Sequence, residues 1–129
     1  MLKQGAKQLV SAANAEVESI SPDDAAKLIG REGVLFVDLR EPGELASSGI
    51  VKGALHVPRG LLEFQADPES PSHKVEFAKA ERLVLYCGSG ARSALAAKTL
   101  QDMGVSGLAH VPGGFPALKA AGAPTSECK

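Results

Sequence analysis

The stretch Arg82-Leu83-Val84-Leu85-Tyr86-Cys87-Gly88-Ser89-Gly90-Ala91-Arg92-Ser93 decides the fold of this 129-residue chain. Its apolar part, 83–86, predicts a buried strand that ends on a cysteine. A turn of small residues follows, and behind it Ala96, Leu100 and Met103 recur at helical spacing on one face. The sequence therefore predicts a strand, a tight loop and a helix N-terminus in direct succession.

Such a loop favours the ionised, reactive form of Cys87. Backbone N–H groups converge at the mouth of a strand–loop–helix unit, and the helix dipole favours negative charge there. A thiolate in this place has a lowered pKa and is the reactive form of cysteine. A cysteine after an apolar strand is often a small core residue instead, but a core cysteine needs no Gly-Ser-Gly-Ala-Arg loop. We therefore interpret Cys87 as a nucleophile and assign substrate binding to its loop: Gly88, Ser89, Gly90, Ala91, Arg92 and Ser93.

Two features of this loop support the assignment. Gly88 and Gly90 let the backbone turn without a steric penalty. Arg92 adds a fixed positive charge that can bind an oxyanion through two N–H groups at once.

Apolar strands alternate with helical patterns along the whole chain. The predicted strands are 16–20, 34–37, 53–57, 83–86 and 107–111, and helical patterns or turns lie between them. This alternation predicts an α/β fold with a small central parallel sheet of about five strands flanked by helices. We expect an accessory helix in residues 1–15, one domain in 16–124 and a polar tail in 125–129.

Composition excludes several classes of function. A formal net charge of -1 and an aromatic content of 4% give no reason to expect nucleic acid or an anionic membrane as a partner. No apolar run approaches a membrane span, and the N-terminus lacks the apolar core of a signal peptide. Two cysteines do not make a disulfide framework. We expect a soluble, cytoplasmic monomer.

The remaining polar candidates have structural interpretations beside the functional ones. Asp38 and Arg40 follow a buried strand, where open α/β sheets have their ligand crevice. An ion pair that supports the loop is favoured over direct chemistry. Arg59 and Glu63 either rim the pocket or form a solvated surface. Cys128 is interpreted as a mobile, exposed thiol.

The spacing of the histidines does not indicate a metal site. No two of them show the intervals of a metal site, and each is interpreted as a structural or surface residue: His56, His73 and His110.

The segment 87–93 resembles the active-site loop of the rhodanese (sulfurtransferase) family. Three further segments agree with that family in the same order: 37–44, 52–60 and 111–115. The resemblance extends from about Glu16 to about Pro124 and implies a rhodanese-like fold. It implies a sulfur donor such as thiosulfate, a persulfide on Cys87, and a thiol or cyanide as acceptor, with no metal or organic cofactor. A sulfur-accepting protein is a further expected partner.

The resemblance has departures that leave the donor open. The Gly-His-Ile common before the third strand is absent from 49–54, and Leu118 replaces a common tryptophan. Arg92 is the only charged residue within the loop, whereas members that use thiosulfate often carry more basic residues there. Cys-Gly-Ser-Gly at 87–90 also resembles the loop of the mercaptopyruvate-specific branch, so mercaptopyruvate is an alternative donor.

Two other functions remain as alternatives. Cysteine phosphatases and arsenate reductases of related architecture place five residues between Cys and Arg, and only four separate Cys87 from Arg92. Some rhodanese-like domains are non-catalytic binding modules, but those frequently lack the cysteine. A cysteine hydrolase has less support, because the sequence nominates no histidine base for Cys87.

Overall fold

The structure, a computed structural model, describes residues 2–127. Its strands are Val34–Asp38 (β1), Ile50–Val51 (β2), Leu55–His56 (β3), Arg82–Tyr86 (β4), Leu108–His110 (β5) and Thr125–Ser126 (β6). Its α-helices are Ala6–Glu16 (α1), Pro22–Ala26 (α2), Pro42–Ser48 (α3), Leu62–Ala66 (α4), Val75–Lys79 (α5), Ala91–Asp102 (α6) and Gly114–Ala120 (α7). A 3₁₀ turn, Arg59–Leu61, leads into α4.

A parallel sheet with the strand order β3-β1-β4-β5 forms the centre of the fold, which confirms the predicted α/β class. The chain leaves β1 towards β3 on one side and later returns to β4 on the other side. Ligand crevices of open α/β sheets lie at such a switch point, beyond the carboxyl ends of the strands. Asp38 and Tyr86 are register partners at these ends, so Cys87 begins its loop at the crevice.

The sheet is buried on both faces, as the continuous apolar runs of β1 and β4 predict. Leu83 and Leu85 of β4 pack towards α6 in one core cluster, and Cys87 belongs to that cluster. Val84 and Tyr86 point to the opposite face and pack against residues of α2 and α7. The alternation of β4 thus places the Cys87 side chain on the side of the sheet covered by α6.

The predicted strand at 16–20 is wrong in most of its length. Helix α1 continues to Glu16, because Ala13 and Val17 are spaced four residues apart and both are buried. Beyond the helix, Ser19 makes a single parallel bridge to His110. The central sheet therefore has four strands and this one bridge at its β5 edge.

Part of the predicted polar tail, residues 125–129, pairs with another strand of the fold. Thr125 and Ser126 form β6, which pairs antiparallel with β2. Cys128 lies outside the described residues. The proposed division at residues 15 and 124 stays a prediction.

Within residues 2–127, none of the helices has the length and apolar character needed to cross a membrane. The same part of the chain contains no group of three or more His, Cys, Asp or Glu side chains arranged to hold a metal ion.

Candidate active site

The loop after β4 wraps the sulfur of Cys87 in hydrogen-bond donors. Gly90 N–H donates to Sγ at 3.1 Å, and Ser93 N–H, in the first turn of α6, donates at 3.4 Å. The hydroxyl oxygen of Ser93 lies 3.7 Å from Sγ. Cys87 itself is fully buried. The loop therefore forms a cradle for one sulfur atom at the N-terminus of α6.

This cradle changes the acidity of the thiol. Burial by itself raises the pKa of the Cys87 thiol, because it disfavours the charged form. The N–H groups of Ser93, Ser89 and Gly90 and the Ser93 hydroxyl outweigh burial, so the pKa lies below its ordinary value. Donors that point at a thiolate stabilise it before any substrate arrives.

A second loop, between β5 and α7, fixes the shape of the cradle. Phe115 N–H donates to the Cys87 carbonyl at 2.8 Å, and Gly113 N–H donates to the Ser89 carbonyl at 3.2 Å. Gly114 has φ +62°, and a Cβ there would overlap the Cys87 carbonyl oxygen. The two loops touch backbone to backbone, which only a glycine at 114 permits.

Arg92 is already engaged by a carboxylate. Its Nη1 and Nη2 donate to Oε2 and Oε1 of Glu44, both at 2.8 Å. These hydrogen bonds lower the pKa of Glu44 to about 2 and raise that of Arg92. A Cβ on Gly88 would lie 3.0 Å from Arg92 Nη2, so the guanidinium covers the loop. The positive charge predicted for the loop is thus neutralised by Glu44.

Sequence reasoning did not select Glu44, although it lies in the segment 37–44 that carries the resemblance. It is on α3, and its Oε2 also accepts from the Glu41 N–H at 2.8 Å, which caps that helix. A residue in this double role has no distinctive spacing from Arg92, 48 positions away.

Asp38 and Arg40 form the expected ion pair, with Arg40 Nη2 2.8 Å from Asp38 Oδ2 and both side chains buried. Arg40 also donates to Ser48 Oγ at 2.7 Å and to the Gly49 carbonyl at 2.6 Å. Its guanidinium carbon lies 4.2 Å from the centre of the Phe115 ring. These contacts join β1 to the end of α3 and to α7. Arg40 therefore has a structural role beside the loop.

Arg59 has structural contacts as well. It donates to Glu63 Oε1 at 2.9 Å and to Thr99 Oγ1 at 3.2 Å, which ties α4 to α6. His56 and His73 hydrogen-bond to backbone carbonyls, those of Arg40 and Gln65 respectively.

The sequence predicts a structural or surface role for His110, and the structure places this residue near Cys87. Its Nδ1 lies 3.0 Å from Ser93 Oγ, and its Nε2 lies 3.0 Å from Asn14 Oδ1 of α1. The pairing of β5 with β4 brings it there. Neither His110 nor Asn14 has a sequence spacing from Cys87 that indicates this contact.

Two cavities flank the loop. One, of about 390 Å³, is bordered by Glu44, Gly88 and Phe115 among others. The other, of about 260 Å³, is bordered by Ser89, Asn14 and His110. A small molecule in either cavity would contact the loop.

Known proteins match this chain over most of its length. The sequence profile of the rhodanese-like domain matches residues 21–121. A sulfurtransferase of Allochromatium vinosum is 35% identical over 98 residues, which cover 76% of this chain and 83% of that protein. An uncharacterized Synechocystis protein is 34% identical over 111 residues, covering 86% of this chain, and this chain spans 57% of that relative's length.

A solved structure from Rhodopseudomonas palustris is more similar still. It is 41% identical with a TM-score of 0.92, and the match covers 98% of this chain and 97% of that one. That protein is described as of unknown function and as a possible tyrosine phosphatase.

Proposed function

The chain belongs to the rhodanese-like domain family, and we propose that it is a sulfurtransferase that carries a sulfane sulfur as a persulfide on Cys87. The observation that carries this proposal is the cradle around Sγ, with N–H donors from Gly90 and Ser93 within 3.4 Å. Such donors stabilise a thiolate in the resting enzyme and a persulfide anion after transfer. The sulfurtransferase among its relatives supports the same reaction class.

The reaction divides into two displacement steps. The Cys87 thiolate attacks the sulfane sulfur of thiosulfate, and the donor's S–S bond breaks with its electron pair leaving on sulfite. The outer sulfur of the resulting persulfide is then attacked by a thiol or by cyanide, which restores the thiolate. This is covalent ping-pong catalysis, and every electron pair is accounted for without a further reactant.

Intact-mass measurement after incubation with thiosulfate tests the proposal. We expect the mass to rise by one sulfur atom, cyanide to remove it as thiocyanate, and Cys87→Ala to abolish both. Cys128→Ser is the matched control, and its turnover should stay within about threefold of the parent because Cys128 has no assigned step. No added sulfur on Cys87 and no thiocyanate with either thiosulfate or mercaptopyruvate would contradict the proposal.

Phosphatase activity is the second candidate, because the Rhodopseudomonas palustris neighbour is described as a possible tyrosine phosphatase. Two features of the site favour sulfur transfer over it. Only four residues separate Cys87 from Arg92, and Glu44 occupies both terminal nitrogens of that arginine. A phosphate needs those nitrogens free. Steady hydrolysis of a phosphotyrosine mimic, abolished by Cys87→Ser, would favour the phosphatase instead.

A further inference from the structure

A chain of hydrogen bonds leads from the nucleophile to the N-terminal helix. Cys87 Sγ lies 3.7 Å from Ser93 Oγ, and Ser93 Oγ lies 3.0 Å from His110 Nδ1. His110 Nε2 lies 3.0 Å from Asn14 Oδ1. Asn14 is exposed on α1, whereas Ser93 and His110 are buried. Asn14 also lies outside residues 21–121, the part that matches the family.

The amide oxygen of Asn14 sets the direction in which these hydrogen bonds are donated. An amide oxygen only accepts, so Nε2 of His110 carries the hydrogen and Nδ1 presents a lone pair. The Ser93 hydroxyl then donates to Nδ1, and its oxygen is free to accept from the thiol. Without His110, the hydroxyl would donate to the Gly90 carbonyl, which is 3.2 Å away. His110 thus decides how the Ser93 hydroxyl is oriented.

We propose that His110, held by Asn14, is a positioning residue that orients the Ser93 hydroxyl and takes up, through it, the proton that the Cys87 thiol releases. The thiol proton passes to Ser93 Oγ while the hydroxyl proton passes to Nδ1 of His110. The products are a thiolate that accepts from Ser93 O–H and an imidazolium that donates from Nδ1 to Ser93 and from Nε2 to Asn14. Only protons move, and no further reactant is needed.

The surroundings of His110 suit this role. The side chains that hydrogen-bond to its ring are uncharged: Ser93 from α6, Asn14 from α1 and Ser19, whose Oγ is 3.4 Å from Nε2. The backbone carbonyl of Glu18 accepts a hydrogen bond from the His110 backbone N–H, and the Glu18 carboxylate pairs with Arg82 at 2.6 Å. Beside the thiol, the Arg92 charge is balanced by Glu44. Burial lowers the pKa of His110, so the ring is neutral at neutral pH and Nδ1 is a free acceptor for the Ser93 hydroxyl. When the ring takes up the proton, the thiolate formed at Cys87 is the negative charge that stabilises the imidazolium.

This inference deepens the proposed function, since it concerns the same nucleophile, but thiol chemistry tests it without a sulfur donor. The measurement is the rate of Cys87 alkylation by iodoacetamide from about pH 5 to about pH 10, a range that brackets ordinary and lowered thiol pKa values. All variants carry Cys128→Ser, so that only Cys87 reacts. His73→Leu, which removes a histidine bonded only to the Gln65 carbonyl, is the matched control and should leave the curve unchanged.

We expect His110→Leu to lower the alkylation rate at neutral pH about tenfold and to raise the midpoint of the rate–pH curve by about one unit. At high pH its rate should converge on that of the parent, because the thiol then ionises without help. His110→Asn keeps an acceptor for Ser93 but takes up no proton, so its midpoint should also rise. An unshifted midpoint in His110→Asn overturns the proton uptake, and a rate loss equal at every pH overturns the whole proposal.

Two substitutions at Asn14 keep the proposal testable if His110 variants fail to fold, because Asn14 is exposed. Asn14→Leu removes the partner of Nε2 and should raise the midpoint. Asn14→Asp strengthens that partner, makes the imidazole more basic and should lower it. Unmoved midpoints in both variants overturn the proposal. A protein that shows these shifts but forms no persulfide with thiosulfate retains the His110 role and loses only the proposed sulfur transfer.

Discussion

Glu44 controls charge at the mouth of the site. Its carboxylate holds both terminal nitrogens of Arg92, so the only charged side chain of the loop is neutralised before a substrate arrives. Arg92 is therefore a brace in the resting protein, and an anionic donor must compete with Glu44 for it. The charge at this position is a property of two residues that are far apart in sequence.

The Glu44–Arg92 pair should make stability depend on acid pH. The pKa of Glu44 is lowered from 4.5 to about 2 in the folded protein. A depressed carboxyl pKa contributes stability that is fully present above the unfolded value and is lost as pH falls towards the folded value. Because the Glu44 side chain is 39% exposed, solvent screening limits this contribution to about 1 kcal/mol.

Urea unfolding of the parent and of Glu44→Gln at about pH 6 and about pH 2 measures this effect, since the first value lies above the unfolded pKa and the second lies at the folded pKa. We expect the parent to be more stable than Glu44→Gln at the higher pH and most of this difference to be lost at the lower pH. Glu69→Gln, at an exposed position, is the matched control. A stability difference that persists unchanged in acid would show that the pair does not act through ionisation.

The same substitution should change the preference for donors. Glu44→Gln removes a negative charge and releases Arg92, so the apparent KM for thiosulfate, a dianion, should fall about threefold. Mercaptopyruvate, with one negative charge, should gain less. Steady-state kinetics with both donors check this. An unchanged or higher KM for thiosulfate would make Arg92 a scaffold residue and remove it from donor binding.

At the scale of elements, the contact between two loops decides whether the cradle forms. Gly114 and Gly122 both have positive φ, +62° and +93°. Only Gly114 lies against other backbone, that of Cys87 and Gly88, whereas a Cβ on Gly122 meets nothing within 4 Å. Comparing alanine at the two positions therefore separates the cost of the left-handed backbone from the cost of the close approach.

We expect Gly122→Ala to cost about 1 kcal/mol of unfolding free energy, the usual penalty for this backbone region. Gly114→Ala should cost at least about 2 kcal/mol more, because one of the two loops must move. It should also slow alkylation of Cys87, since displaced N–H groups no longer stabilise the thiolate. Denaturant unfolding and alkylation rates measure both effects. Equal costs at the two glycines would mean that the loops separate easily.

The elements around Cys87 could be predicted because their causes are local. The apolar run of β4, the small-residue turn and the helical spacing of α6 lie within one stretch of chain, and the structure has all three. Strand β6 could not be predicted in this way. Its two residues are polar and exposed, and their pairing with Ile50 and Val51 depends on a contact across the molecule. Residues 16–20 failed because a helical pattern overlaps the period-two pattern there.

The candidate site residues divide in the same way, into those with local causes and those that depend on contacts across the molecule. Cys87 and its loop form one continuous motif, so the sequence indicated them. Glu44, His110 and Asn14 reach the site from three other elements, and each has an ordinary local role or setting that hides this contact. For example, Glu44 caps α3 through the Glu41 N–H. Residues of this kind become visible only when the sheet order is known.

At the scale of the whole molecule, α1 connects the edge of the fold to the candidate active site. It packs against α6, its residue Ala13 is buried, and Asn14 contacts His110. The sequence predicts residues 1–15 to be an accessory helix packed on a domain that starts at residue 16. The contacts of α1 favour the further expectation that the domain depends on this helix for stability.

Deletion of residues 1–15 distinguishes these possibilities. We expect the shortened protein to fold, because both core clusters lie almost entirely in the remainder. Its Tm should fall by about 5–10 °C, since loss of about 2 kcal/mol of burial over α6 shifts a domain of this size by that much. Leu9→Gln, at a position 45% exposed on α1, is the control and should leave Tm nearly unchanged. A Tm within about 2 °C of the parent, which corresponds to less than about 1 kcal/mol, would show that α1 is a separable accessory helix.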